Sequence, residues 1–182
     1  MEQELTTLIQ KARQGDKDAF IQLVTRYKGV VFRQAYAMLN DHMEAEDVSQ
    51  EAFLKVYASL RTLETDYAFA SWLTRIVSRL CYDRLQKKKR NHVVFTDEWE
   101  EHLPSSNEVM ERTQMQLSIE EALQKLSAEH RTVIVLRDVQ GFSYDEIADV
   151  LQVPVGTIKS RIHTARLALR NELRKEERGN EP

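Results

Sequence analysis

The sequence predicts an all-α protein made of two small helical domains that are joined by a flexible acidic linker. Apolar residues recur at helical spacing, the 182 residues include only five glycines and three prolines, and no window resembles an array of strands. Hydrophobic residues make up 42% of the chain, which is enough to form a core that needs no disulfide bonds or metal ions for stability. We expect the domains at residues 1–92 and 113–182, with the linker at 93–112.

The N-terminal domain is predicted to contain four helices. A short first helix ends near Gly15, Asp16 opens a longer second helix, and Asp41 with Glu44 caps a third. One side of the second helix is lined by Phe20, Leu23, Val24, Tyr27, Val31 and Ala35. A loop from Thr62 to Ala70 then leads to a fourth helix from Ser71 to Lys89.

The third helix has two chemically different faces. Val48, Ala52 and Val56 recur at intervals of four and should face the core. The outer face carries Asp47, Gln50, Glu51 and Leu54. An outward leucine among acids fits a docking surface, but on spacing alone we favour an acidic face that is simply solvated.

The fourth helix alternates arginines with aromatic residues on its outer side. This side carries Trp72, Arg75, Arg79 and Tyr82, opposite an inner stripe of Leu73, Ile76, Val77, Leu80 and Leu85. Unpaired bases stack on aromatic rings and guanidinium groups hold phosphates, so the pattern suits single-stranded nucleic acid. An equally good interpretation is that Trp72 and Tyr82 cover the domain core.

Charge is distributed in blocks, although the net charge is only −3. Residues 75–90 carry seven bases against one acid, and residues 159–178 carry seven bases against three acids. Residues 96–111 carry six acids and no Lys or Arg. We infer two anion-binding surfaces that are separated by an acidic connector.

The C-terminal domain ends in a predicted helix-turn-helix. Ser118 with Glu121 is expected to cap a helix over 118–126, and a helix over 128–140 is ended by Gly141. A second capping box, Ser143 with Glu146, starts a helix whose inward stripe is Ile147, Ala148 and Leu151. The turn at 152–156 contains Pro154, which is tolerated where a new helix begins.

The last helix is amphipathic, with a small polar and basic outer face. Its inner positions are Ile158, Ile162, Ala165 and Leu169. Its outer face carries Gly156, Ser160, His163 and Thr164, flanked by Thr157, Lys159, Arg161 and Arg166. Such a face suits hydrogen bonding to base edges and phosphates in the major groove, while a solvated basic face in an ordinary bundle is the alternative.

No catalytic constellation is recognisable. The five histidines are scattered without metal-ligand spacing and there is no glycine-rich phosphate loop, so we expect no enzyme activity, no metal and no cofactor. The single cysteine, Cys81, and the absence of a signal sequence indicate a reducing, cytoplasmic setting. The apolar runs are too short to insert into a membrane.

Three motifs resemble one known family. They are AEDVSQEAFLKVY (Ala45 to Tyr57), FASWLTRIVSRLCYDRLQKKKR (Phe69 to Arg90) and YDEIADVLQVPVGTIKSRIHTAR (Tyr144 to Arg166). In this order and separation the chain closely resembles the bacterial extracytoplasmic-function (ECF) sigma factors of the sigma-70 family. The resemblance implies a region-two-like helical bundle and a region-four-like helix-turn-helix domain.

The resemblance also implies roles for individual residues. The acidic face matches the surface that binds core RNA polymerase, with Asp47, Gln50, Glu51 and Leu54, so docking is now favoured over simple solvation. Minus-ten DNA contacts are implied for Asp66, Phe69, Trp72, Arg75, Arg79, Tyr82, Arg84 and Lys87. Minus-thirty-five contacts are implied for Pro154, Gly156, Thr157, Lys159, Ser160, Arg161, His163 and Arg166. Thr164 departs from the family, since relatives often carry a base there.

The implied function is that of a promoter-specificity subunit that joins core RNA polymerase, recognises the minus-thirty-five and minus-ten elements and initiates melting. The linker resembles the segment that family members thread near the RNA exit path. Control by an anti-sigma partner, often membrane-anchored, is a family property that no residue here shows. The rival interpretations are a dimeric helix-turn-helix regulator, for which no dimer helix is evident, and a helical adaptor that binds an acidic protein.

Overall fold

The computed structural model describes residues 2–92 and 114–179. Within these ranges the regular structure is helical, which confirms the all-α prediction. The helices are α1 (Glu2–Arg13), α2 (Lys17–Leu39), α3 (His42–Ser59), α4 (Phe69–His92), α5 (Gln114–Gln124), α6 (Ala128–Ile134), α7 (Tyr144–Leu151) and α8 (Val155–Gly179). The predicted linker at 93–112 lies outside the described residues.

The chain divides into two compact units, Met1–Asp83 and Arg84–Pro182. The division falls inside α4, so the last residues of this helix are counted with the second unit. Each unit has its own buried apolar residues.

In the first unit, aspartate side chains cap the N-terminal ends of α2 and α3. The Asp16 carboxylate accepts a hydrogen bond from the Ala19 amide at 3.0 Å, and the Asp41 carboxylate accepts one from the Glu44 amide at 3.1 Å. Both predicted caps are therefore confirmed. Asn40 ends α2 in the left-handed conformation (φ 54°), which lets the chain reverse within two residues so that α3 packs along α2.

A buried polar contact joins α4 to α2. The Gln34 side-chain amide donates to the Thr74 carbonyl at 3.0 Å and to the Ser78 hydroxyl at 2.8 Å, and that hydroxyl donates to the Thr74 carbonyl at 2.8 Å. Ser78 is fully buried and Gln34 nearly so, hence these groups satisfy one another within the core. The inner face of α4 is wider than the predicted apolar stripe, because it also includes Ser78 and Cys81.

The segment before α4 is more ordered than the predicted loop. Two short 3-10 turns, Leu60–Thr62 and Asp66–Ala68, precede the helix, which begins at Phe69 rather than Ser71. Leu63, between the turns, is buried. An apolar anchor in the middle of a short connection restricts the loop, which explains its regular turns.

The second unit corrects one predicted helix start. α5 already runs from Gln114, so Ser118 lies inside the helix and the capping box with Glu121 is wrong. The residues before Ser118 (Gln, Met, Gln, Leu) are all good helix formers, which favours an earlier start. The cap belongs instead to α6, where the Ser127 hydroxyl accepts from the His130 amide at 3.3 Å.

The predicted helix over 128–140 consists of α6 followed by a π-helical turn, Val135–Val139. Gly141 then adopts a positive φ of 76°, a conformation that glycine accepts without a steric cost. Val133, Ile134, Val135 and Leu136 are all buried. This run forms the centre of the unit, against which α8 packs.

The helix-turn-helix is confirmed. The Ser143 hydroxyl and the Glu146 carboxylate form the reciprocal capping box at the start of α7. Gln152 ends α7 in the left-handed conformation (φ 54°), and Pro154 stands directly before α8, where its carbonyl accepts from the Thr157 amide at 2.9 Å. The predicted inner residues Ile147, Leu151, Ile158, Ile162 and Ala165 are buried together with Val150.

Candidate nucleic-acid interface

The first turns of α8 present a continuous exposed face. Lys159, Ser160, His163 and Thr164 are exposed, while Ile158, Ile162 and Ala165 on the opposite side are 0–2% exposed. Pro154 and Gly156 are also exposed, at the N-terminal end of the helix. A helix held by a buried inner stripe can insert its outer face into a groove without disturbing the core.

Two flanking residues of this face lie against the body of the unit. Thr157 and Arg161 are half-buried, and the Arg161 guanidinium lies 3.7 Å from the Glu129 carboxylate of α6. The predicted residues of α8 are thus brought to one region, with Lys159, Ser160 and His163 at its centre.

Arg166 is held by an acid that the sequence pattern did not identify. Its Nε donates to Asp138 Oδ2 at 3.1 Å and its Nη2 donates to Asp138 Oδ1 at 2.5 Å. The hydrogen bond to Asp138 raises the pKa of Arg166 above its usual value. The neighbouring Arg137 guanidinium lies 4.9 Å from the centre of the Tyr144 ring, so aromatic and charged groups cluster beside this end of the face.

The outer side of α4 carries the predicted basic and aromatic residues. Arg75, Arg79 and Lys87 are exposed, whereas Trp72, Tyr82 and Arg84 are half-buried. The Arg79 Nε lies 3.4 Å from the Asp83 carboxylate one turn later. Part of each half-buried ring therefore packs against the unit, and the rest is exposed to solvent.

Phe69, one of the predicted minus-ten residues, is buried. Its side chain is 1% exposed and meets the Tyr27 ring edge-on, with 5.2 Å between ring centres. The ring is enclosed in the core, where a base does not reach it without a rearrangement of the unit. Phe69 instead anchors the start of α4.

Asp66 is tied to α1. Its carboxylate accepts hydrogen bonds from Gln10 Nε2 and from Arg13 Nη1, each at 2.9 Å. The next residue, Tyr67, is 85% exposed and was missed by the sequence analysis. The sequence feature that could have indicated its exposure is the position of an aromatic residue within a polar loop, where a ring has no core to cover.

The outer face of α3 is present as predicted. Asp47 and Gln50 are exposed and Leu54 is 71% exposed, while Val48, Ala52 and Val56 on the inner side are fully buried. Glu51 is half-buried, with its carboxylate 3.8 Å from Lys55 Nζ. Tyr57 extends the apolar part of this region: it is 54% exposed and contacts the Phe20 ring, with 4.9 Å between centres.

Across residues 2–92 and 114–179 no group of three or more His, Cys, Asp or Glu side chains is arranged to hold a metal ion. In these ranges there is also no helix of the length and apolar character that a membrane span requires.

Known protein families match both units. The family model for sigma-70 region 2 matches residues 23–91, and the model for sigma-70 region 4 matches residues 116–169. The first match includes the acidic face of α3 and the basic face of α4, and the second includes the helix-turn-helix.

Similar proteins are found over nearly the whole chain. The ECF RNA polymerase sigma factor SigW of Bacillus subtilis is 34% identical to this chain, and the aligned region covers 96% of this chain and 99% of SigW. The ECF RNA polymerase sigma-E factor of Haemophilus influenzae is 30% identical, and the aligned region covers 95% of this chain and 98% of that protein. The chain therefore belongs to the ECF sigma factors of RNA polymerase, and as such it is a promoter-recognition subunit.

Solved structures agree with this assignment. The sigma factor RpoE of Bartonella quintana, solved in complex with the anti-sigma factor NepR, is 27% identical with a TM-score of 0.65 and covers 85% of this chain and 96% of that chain. CnrH, solved in complex with the cytosolic domain of CnrY, is 28% identical with a TM-score of 0.58, and the match covers 94% of this chain and 97% of CnrH.

Proposed function

We propose that the exposed face of α8 recognises the minus-thirty-five element as duplex DNA. The observation that carries this assignment is the exposure of Lys159, Ser160 and His163 on a helix whose opposite side is buried. Side chains of this kind hydrogen-bond with base edges in the major groove, and we assign the phosphate contacts to the N-terminal end of the helix, at Pro154 and Thr157.

For the minus-ten element we propose the outer side of α4 together with the turn that precedes it. Arg75, Arg79 and Lys87 supply positive charge, and Trp72 and Tyr82 supply partly exposed rings. An extruded base loses its stacking, at a cost of a few kcal/mol, and rings with cationic groups beside them compensate for that loss. Tyr67 replaces Phe69 in our assignment, because Tyr67 is exposed and Phe69 is not.

The α3 face is our proposed site for core RNA polymerase. Asp47, Gln50 and Leu54 combine two polar groups with an exposed apolar side chain, a mixture that is common in protein interfaces. We further propose the domain limits 1–92 and 113–182 around a linker at 93–112.

The regulation that we propose is sequestration by an anti-sigma protein. The support is that the structurally similar sigma factor RpoE of Bartonella quintana was solved in complex with the anti-sigma factor NepR. We also propose that the protein acts in the cytoplasm and that it has no catalytic activity of its own, as its family membership implies.

Fluorescence anisotropy with labelled promoter duplex, with and without core polymerase, tests the function. A sigma subunit gives specific binding and run-off transcripts only together with core enzyme. Tight specific binding by the protein alone as a dimer would instead support a conventional helix-turn-helix regulator. Run-off transcription from a promoter library would then identify the preferred elements.

A further inference from the structure

The segment between α3 and α4 is anchored in the core at its two ends but not in its middle. Leu60 and Leu63 are buried at the start of the segment, and Phe69 is buried where α4 begins. Between these anchors lies the 3-10 turn Asp66–Ala68, which has no buried residue. Apolar burial therefore fixes where this turn begins and ends, but it does not fix how the turn is oriented.

Asp66 attaches the middle of the segment to α1. One oxygen of its carboxylate accepts a hydrogen bond from Gln10 Nε2 and the other accepts one from Arg13 Nη1, each at 2.9 Å. Only 11% of the Asp66 side chain is exposed, so water competes less for these hydrogen bonds than it does at an open surface. The Asp66 carbonyl also accepts from the Phe69 amide. One residue thus connects α1 to the start of α4.

The helix that donates these hydrogen bonds is itself held by the core. Ile9 and Ala12 are buried, and α1 packs against α2. Gln10 and Arg13 are three positions apart, so they lie on the same side of α1, where both reach Asp66. The turn is therefore attached to a helix whose own position is set by apolar packing.

The lining of the space beside this attachment is polar. A recess of about 340 Å³ lies there, and it is lined by Gln10, Arg13, Gln14 and Arg61. Since no apolar side chain is among these four, the hydrogen bonds of Asp66 rather than close apolar packing determine how the turn lies against α1. Loss of one donor should loosen the turn without opening a cavity in the core.

The attached turn carries a residue that we assign to the minus-ten element. Tyr67 directly follows Asp66, and its side chain is 85% exposed. An exposed ring gains nothing from the core, so its direction depends on the backbone of the turn. A group that is oriented before binding loses less conformational entropy when it meets its partner than a group that must first be ordered.

We propose that α1 is a positioning element for promoter opening, in which Gln10 and Arg13 act through Asp66 to orient the turn that carries Tyr67. The proposal rests on the proposed function of α4 and the turn before it. It adds a role for a helix that precedes the match to sigma-70 region 2, which begins at residue 23. The Asp66 carboxylate then serves α1 instead of the minus-ten contact that the resemblance implies.

The test measures the turn and the promoter separately. In the full chain alone, Arg13→Ala should speed hydrogen exchange of the Ala68 and Phe69 amides, which are bonded within the turn, and leave α2 unchanged. In holoenzyme, it should reduce open-complex formation on a duplex promoter about fivefold, the upper end for a partly exposed ion pair, with normal affinity for core polymerase. Gln10→Ala should act in the same direction. Arg13→Lys keeps a charged donor and should restore most of the opening.

Lys11→Ala is the matched control, because Lys11 is an exposed base of the same helix. Equal losses in Arg13→Ala and Lys11→Ala would overturn the proposal in favour of general electrostatic attraction. Increased opening in Arg13→Ala would overturn it too, since α1 would then be withholding Asp66 from DNA. Faster exchange with wild-type opening would reduce the contact to a structural one. Failure of wild-type holoenzyme to open promoters would refute the proposed function itself, whereas exchange in the chain alone still tests the attachment of the turn.

Discussion

Arg166 and Asp138 form a two-point ion pair between α8 and the π-helical turn of the second unit, with hydrogen bonds of 3.1 and 2.5 Å. Both side chains are partly exposed, at 49% and 36%, so water screens the pair and its contribution to stability is small. We expect a larger effect on DNA binding, because Asp138 accepts from two of the guanidinium donors that Arg166 would otherwise offer to a phosphate.

Asp138→Asn is therefore expected to increase the affinity of holoenzyme for minus-thirty-five duplex by a few-fold. The substitution removes one negative charge near the DNA and frees Arg166 for a phosphate. The salt dependence should also become steeper, by about 0.9 for one added phosphate contact on duplex DNA. Anisotropy titrations at several salt concentrations would measure both quantities.

Asp149→Asn is the control for the charge change, since Asp149 is an exposed acid of α7 in the same unit. A rise in affinity that is equal in both variants would mean that only net charge matters. A fall in affinity for Asp138→Asn would show that the ion pair orients Arg166 for binding rather than competing with it.

The capped and amphipathic elements were predictable from the sequence because their determinants are local. Asp16, Asp41 and the Ser143–Glu146 box cap the helices that they were expected to cap. The capping box predicted at Ser118 is wrong for an equally local reason. A capping box predicts a helix start only where the preceding residues are not helical, and here α5 already runs from Gln114.

Contacts between distant positions were not predictable in this way. Asp138 and Arg166 are 28 positions apart, and Asp66 and Gln10 are 56 positions apart. Each pair joins two different elements, so the periodicity of a single helix does not reveal the contact. The burial of Phe69 was missed because its partner, Tyr27, belongs to another helix. Periodicity identifies the inner face of a helix but not which residue of a loop enters the core.

Recognition of the upstream element should depend on the centre of the α8 face. Lys159→Ala, Ser160→Ala and His163→Ala are expected to reduce transcription from promoters that need the minus-thirty-five element. A lost base-edge contact costs about 1–3 kcal/mol, whereas a lost phosphate contact weakens all sequences alike. Run-off transcription on matched promoters with and without the element measures the difference.

Asn171→Ala, an exposed position further along α8, is the control for that series. Unchanged promoter selectivity in all three variants would exclude α8 as the recognition helix. Equal weakening on both promoters would restrict these residues to phosphate contacts.

Docking to polymerase should depend on the α3 face. Asp47→Ala and Gln50→Ala are expected to weaken binding to core enzyme several-fold without changing the melting temperature. Both side chains are exposed, opposite the buried Val48 and Ala52, so their removal opens no cavity. Gln22→Ala on the exposed side of α2 is the matched amide control. Wild-type affinity for core enzyme, with an unchanged melt, would refute the docking role.

Strand opening should depend on the basic residues of α4, and this prediction separates a sigma factor from an ordinary regulator. Arg75→Ala and Arg79→Ala are expected to leave core binding normal but to reduce open-complex formation on duplex promoters. A pre-melted bubble should restore part of the loss, because it already carries the unstacking cost and leaves only backbone and stacking contacts to be made. Permanganate footprinting of unpaired thymines measures the opening directly, with Lys28→Ala on α2 as an exposed-base control. If both arginine variants melt duplex promoters as well as the control does, α4 supports the fold only and opening must depend on other residues.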